Sequence, residues 1–163
     1  MKVQSETSVT ADYQGTSWEE SDPSVFRMTI VRTLQGEYQL TNGLGPVKAT
    51  QVLRDHWSSY ITEQDFIFMS QNGLNAVRIP VGWWIAQNPT PKPFVEGSLA
   101  ALDNAFTWAQ NHGMKVIVDL HAVEGSQNGN DHSGTRDGFL EWGDSYIPQT
   151  VSVIDFLAER FVS

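Results

Sequence analysis

The stretch Asn75-Ala76-Val77-Arg78-Ile79-Pro80-Val81 decides the fold, together with its counterpart Lys115-Val116-Ile117-Val118-Asp119-Leu120. Both are short apolar runs rich in β-branched residues. Turn-forming glycines, Gly73 and Gly113, stand just before them. Such a run reads as a strand of a parallel sheet, buried on both faces. Helical patterns surround both strands. Thr62 is an N-cap for Glu63–Asn72, whose first turn is acidic, with Phe66, Met69 and Ser70 on one face and Gly73 at C′. Ser98 caps a second helix, in which Leu99, Leu102, Phe106 and Ala109 recur at helical spacing before Gly113. Pro148 opens a third, with Val151, Ile154, Leu157, Ala158 and Phe161 as its inward face. From residue 62 the order is helix, strand, helix, strand, helix. Repeated βα units imply a parallel sheet with right-handed crossovers, an α/β fold.

Upstream the periodicity changes. Phe26-Arg27-Met28-Thr29-Ile30-Val31 alternates apolar and polar side chains, and Glu37-Tyr38-Gln39-Leu40-Thr41 does so again. Two or three short strands do not make a stable sheet alone, so residues 1–41 read as the tail of a larger all-β segment. Asn42-Gly43-Leu44-Gly45-Pro46 is a turn cluster that divides 1–41 from 42–163. It carries two glycines of a dinucleotide fingerprint, but Lys48 stands where the third is needed, which excludes that reading. Residues 47–60 read as a helix with Val47, Val52 and Leu53 as inward positions.

The chain has 163 residues, with 10 basic against 19 acidic side chains and a net charge of -9. That field repels a phosphate backbone and an anionic membrane surface, so neither nucleic acid nor such a membrane is expected as a partner. Neutral ligands such as sugars stay open. There is no Cys, hence no disulfide, thiolate metal site or cysteine nucleophile. No apolar run approaches the roughly 20 residues of a transmembrane span, and the polar start Met1-Lys2-Val3-Gln4 is not that of a signal peptide. The location is not legible.

In parallel α/β folds ligands meet the C-terminal ends of the strands. Arg78 lies within an apolar strand, so its charge must be paired or face a polar cavity. It is either a structural ion-pair member or a guanidinium that holds a catalytic carboxylate ionised. Asp119 reads as a buried partner for the neighbouring strand or loop backbone. His121 ends the second strand. It could donate to a ligand hydroxyl, orient a carboxylate, or be a satisfied structural histidine. Asp119, His121, Glu124, Asp131 and His132 supply metal-ligand types, but their spacing matches no defined zinc motif, so no metal is expected. Trp83, Trp84 and Trp142 sit in loops, where a ring serves either as a platform for sugar C–H faces or as a plug of the core. Trp108, on a helix, reads as packing. The run Gly125-Ser126-Gln127-Asn128-Gly129-Asn130-Asp131-His132-Ser133-Gly134 suits polyhydroxylated ligands, though a self-bonded loop has the same composition.

Val77-Arg78-Ile79-Pro80-Val81-Gly82-Trp83-Trp84, Val118-Asp119-Leu120-His121 and Gly125-Ser126-Gln127-Asn128-Gly129 resemble glycoside hydrolase family 5, in its exo-β-1,3-glucanase (glucan 1,3-β-glucosidase) branch and plant form. The resemblance implies a (β/α)8 TIM barrel, of which this chain holds about strands two and three. It also implies that residues 1–41 are the end of a fascin-like β-trefoil insert. It implies retaining hydrolysis of terminal β-1,3-glucosyl bonds, a β-glucan or oligosaccharide substrate and no cofactor. Complete members of the family are usually extracellular or in the cell wall. By the resemblance Arg78 supports the nucleophile, and His121, Asn130, Asp131 and His132, with Trp83 and Trp84, contact sugar. Glu124 departs from the usual proline of its loop.

The family's acid/base Glu lies in an Asn-Glu-Pro motif, and a second Glu is the nucleophile. No Asn-Glu-Pro occurs in the 163 residues, and about 250 are needed for a full barrel. The expectation is a fragment that lacks both catalytic Glu and does not turn over alone. The alternatives are a non-catalytic carbohydrate-binding remnant and a truncated gene product.

Overall fold

The computed structural model describes residues 36–129, 133–134 and 140–162. Its helices are α1 (Glu37–Ser59), α2 (Glu63–Gln71), α3 (Ser98–Asn111) and α4 (Ile147–Phe161). Its strands are β1 (Ala76–Gly82) and β2 (Lys115–Ala122), and Trp83–Ala86 and Asp144–Tyr146 form 3-10 turns. β1 and β2 pair in parallel, from Ala76 opposite Lys115 to Val81 opposite Leu120. The α3 crossover makes that direction possible.

Local chemistry explains the boundaries. The Thr62 N–H donates to the Asp65 carboxylate at 2.8 Å and its hydroxyl reaches the same oxygen at 3.1 Å, which fixes the start of α2. Its end is a left-handed Gly73 (φ +83), beyond which the Leu74 N–H reaches back to the Met69 carbonyl at 3.0 Å. Ser98 is not the cap of α3 but its first residue; Gly97 is the cap, at φ 143. A side chain at Gly97 would enter the Trp57 ring.

Three further expectations are corrected. Glu37–Thr41 is not a strand but the first turn of α1. Five alternating residues are too few to separate period 2 from period 3.6. Here Leu40 and Leu44, four apart, pack against Ala49, Leu53 and Val95, while the Thr41 hydroxyl donates to the Glu37 carbonyl at 2.7 Å. The Asn42–Pro46 cluster is correspondingly not a break between elements. The helix passes through it with one kink at Gly45 (φ 72, ψ 166) before Pro46. Leu53 is buried as expected, but Val47 is 85% exposed. The strand reading of Phe26–Val31, and all of residues 1–35, lie outside the described residues.

The second correction concerns β2, which is not covered on both faces. Val116, Val118 and Leu120 pack against the main core, whereas Ile117 is 56% exposed on the opposite face. The third concerns α4. Its buried residues are Val153 and Leu157, while Val151 and Ile154 are about half exposed. The helix carries two apolar stripes: Val153 and Leu157 belong to the core cluster that also holds Phe66, Val77 and Leu102, and Ile154, Leu157 and Phe161 line a groove of about 290 Å³ beside β2. No helix among the described residues is long and apolar enough to cross a membrane.

Candidate active site

Three polar side chains converge on the open face of the sheet. Alternation along β2 points Asp119 and His121 to the same side, and the parallel register brings Arg78 within reach of them. An Arg78 Nη2 hydrogen donates to Asp119 Oδ2 in a short ion-paired contact across 41 residues of sequence. His121 Nδ1 lies 2.8 Å from the same oxygen and 3.2 Å from Arg78 Nη2. The Arg78 charge is thus paired rather than buried, with its side chain 49% exposed. Asp119 organises the group; as the sequence reading expected it partners the neighbouring strand, through Arg78, although its side chain is 26% exposed rather than buried.

The strand geometry changes just here. Val81 opposes Leu120, but Gly82 opposes Ala122, so His121 is the extra residue of a β-bulge. The Gln127 side chain holds that bulge. Its amide donates to the His121 carbonyl at 2.7 Å, and its oxygen accepts the Val123 N–H at 3.3 Å. The buried Ser126 hydroxyl accepts the Gly129 N–H at 2.9 Å, with Ser126 itself in the left-handed region (φ 59). The Ser-Gln-Asn-Gly segment is therefore in part a self-bonded brace of the strand end. Beyond it, the Glu141 N–H donates to the Gly125 carbonyl at 2.7 Å and Tyr146 packs over Gly125, closing the loop onto α4.

The tryptophans divide. Trp84 is 2% exposed and stacked on Phe94, with ring centroids 3.9 Å apart and planes within 5°. A Cβ on Gly82 or on Gly134 would enter its ring. Trp84 is a plug between the end of β1 and the loop and has no face to offer a sugar, which corrects the platform expectation for it. Trp83 is half-buried, edge-on to both Trp84 and Phe94. Trp142 is 40% exposed and donates its indole N–H to the Thr150 hydroxyl at 3.1 Å. Trp108 packs against Phe66 in the core. Beneath Trp84 lies Glu37, fully buried. Burial pushes its carboxyl well above the usual carboxylate range, opposed by the hydrogen bond from the Trp84 side chain. No composition or spacing signal marked it. Asn130, Asp131 and His132 lie outside the described residues. Among the described residues no three metal-ligating side chains come together.

The sequence profile of Cellulase (glycosyl hydrolase family 5) matches residues 41–162. This chain belongs to glycoside hydrolase family 5. The family 5 chain is 47% identical over 129 residues to a probable glucan 1,3-beta-glucosidase A of Emericella nidulans, covering 78% of this chain and 31% of that protein. It is 41% identical over 141 residues to a glucan 1,3-beta-glucosidase of Pichia angusta, covering 85% of this chain and 32% of that one. The chain thus spans about a third of the length of these relatives. Among solved structures, a rutinosidase from Aspergillus niger superposes with a TM-score of 0.67 at 24% identity, over 76% of this chain and 35% of that one. That likeness shows the fold.

Proposed function

We propose that the family 5 chain is the part of a β-1,3-glucan hydrolase that supplies barrel strands two and three, and that the residues upstream of its first helix belong to an inserted fascin-like segment. The reaction is retaining hydrolysis of terminal β-glucosyl units. Arg78 orients the nucleophilic carboxylate, and His121, Asn130, Asp131, His132 and Trp83 contact the sugar. The observation that carries this reading is the convergence of Arg78, Asp119 and His121 on one sheet face toward the C-terminal ends of parallel strands, where such folds bind ligands. The names of the relatives supply the substrate class, and a neutral glucan suits a chain of net charge -9.

Retaining hydrolysis needs two carboxyls about 5–5.5 Å apart, one on each side of the scissile bond. Asp119 is a single carboxyl whose Oδ2 is shared by Arg78 and His121, so it does not by itself supply that pair. With no Asn-Glu-Pro among the 163 residues, this chain by itself contacts sugar without turning it over. The test has two arms. The purified chain incubated with laminarin releases no glucose above a boiled control. A protein joining these residues to the remainder of the barrel releases glucose with retained anomeric configuration, and Arg78→Ala lowers its kcat by about 100-fold or more. Inversion, or glucose release by the 163 residues alone, contradicts the proposal.

A further inference from the structure

We infer that the cavity between the end of β1 and the second half of α4 is a second ligand site, which takes one neutral sugar unit. The cavity measures about 190 Å³, far above the roughly 10–15 Å³ that a single water needs. Ile85, Leu99 and Phe156 give it an apolar wall, and Gln87, Glu96, Ser98 and Arg160 give it polar groups. Trp84 lines it too, while Gly82 and Gly134 pack against the ring of the same residue. None of Arg78, Asp119 and His121 lines it, so it is distinct from the site on the open face of the sheet.

The lining decides the ligand class. Among the described residues the side chains of Gln87, Glu96 and Ser98 make no hydrogen bond to the protein. Gln87 offers amide donors and an acceptor, Ser98 a hydroxyl, and Glu96 a carboxylate acceptor. Arg160 is held in place before anything binds. Its Nε and Nη2 grip Asp103 at 2.8 and 2.7 Å, and its guanidinium lies 5.7 Å from the centre of the Phe161 ring. That side-on grip leaves the two Nη1 hydrogens as its remaining donors. Its charge is already matched by Asp103, and Glu96 adds a negative charge at the exposed rim, on a chain of net charge -9. An anionic ligand is therefore repelled. A cation would find one carboxylate beside a guanidinium. A wholly apolar ligand would strip water from the polar groups without replacing it. The ligand that fits is neutral, with one apolar face and a set of hydroxyls that both donate and accept. A sugar unit has that form, its C–H face on Phe156 and Leu99 and its hydroxyls accepting from Arg160 and donating to Glu96. Because Arg160 is already fixed, binding costs little of its side-chain freedom. The unit is either free glucose or the terminal glucosyl of an oligosaccharide.

The experiment is titration of the 15N-labelled chain with glucose and, separately, with laminaritriose. The probes are the Gln87 side-chain amide and the Leu99 backbone N–H. The expected result is a saturable shift at both probes, with Kd in the range of about 1–10 mM. Saturation by glucose alone marks the free sugar as the ligand. Saturation by laminaritriose, with or without glucose, marks a terminal glucosyl unit. Glucuronate, which carries a carboxylate, binds about tenfold more weakly than glucose or not at all. Glu96→Ala and Gln87→Ala each weaken the binding by about tenfold, and His121→Ala leaves the shifts at these probes unchanged. No saturable shift at Gln87 and Leu99 with either sugar, from a folded wild-type sample, overturns the inference. So does glucuronate that binds as tightly as glucose, or a folded Glu96→Ala protein that binds unchanged. The wild-type titrations decide the matter even where a variant does not fold. The probes are separate from Arg78 and His121, so a failure here and a failure of the glucan reading at that site are different results.

Discussion

Glu37, the first residue of α1, is fully buried against Trp84, whose side chain hydrogen-bonds its carboxyl, while Glu37 Oε1 has no partner among the described residues. A helix start is thereby tied to the plug beneath the loop that follows β2. An unpaired buried carboxyl oxygen favours the neutral acid. His56, buried on the same helix, is pushed the other way, down to about 4, by loss of solvent.

These two groups give the chain a stability optimum in mild acid. Glu37 holds its proton in the folded state and releases it near 4.5 in the unfolded chain, so its contribution falls as pH rises from there. His56 is neutral when folded and protonates near 6.5 when unfolded, so its contribution falls as pH drops from 6.5 toward about 4. Full titration of His56 corresponds to roughly 3 kcal/mol. Thermal unfolding across pH 4 to 8, used here as about the working range, is expected to peak between the two unfolded values. Glu37→Gln flattens the alkaline limb and leaves the acid limb. A Tm that rises steadily to the alkaline end contradicts this account.

Two glycines should respond to alanine with opposite signs. At Gly82 a methyl group enters the buried Trp84 ring, which is itself pinned by Phe94. Gly82→Ala is expected to cost about 1–3 kcal/mol through overpacking. At Gly43 nothing lies within 4 Å of a Cβ, and the position is interior to α1. Gly43→Ala is expected to gain up to about 1 kcal/mol from helix propensity. Urea denaturation midpoints of the two variants check both signs.

Gln127 braces the strand end through both ends of its amide. Gln127→Ala leaves the Val123 N–H and the His121 carbonyl without that partner, at a cost of about 1–2 kcal/mol. Faster hydrogen exchange at Val123 is the local readout. Unchanged exchange there, with an unchanged midpoint, rules out the brace.

Arg160 grips Asp103 with two hydrogen bonds, at 2.8 and 2.7 Å, joining α4 to α3. Both side chains are about 40% exposed, so water screens the pair. Asp103→Asn is expected to cost under about 1 kcal/mol, and less at high salt. A loss several times larger, insensitive to salt, contradicts the assignment of this contact to the surface.

Elements whose cause is local were legible in the sequence. Thr62 with Asp65, Gly73 and Gly113 mark their boundaries by short-range chemistry, and β1 and β2 by β-branched runs. Glu37–Thr41 was not legible, because Phe94 and Val95, which select its helical face, come more than fifty residues later. α4 offered two apolar stripes, and sequence alone does not say which one a neighbour covers. At the site, Arg78 and His121 stood out as polar residues in or at the end of apolar strands. Asp119 read as a partner of the neighbouring strand or loop, but that its partner is Arg78 depends on strand register. Trp84 read as a possible platform because its burial is set by Phe94, Gly82 and Gly134 jointly.

The most direct test of the central claim, that the open face near the ends of β1 and β2 binds glucan, is titration of the 15N-labelled chain with laminaritriose. The account predicts saturable shifts at Arg78 and His121 and in the Gly125–Gly129 loop, with affinity in the range of about 1 mM, roughly 4 kcal/mol. It also predicts their loss in His121→Ala. Shifts confined to the groove between β2 and α4, or no saturable shift from a folded sample, would contradict it.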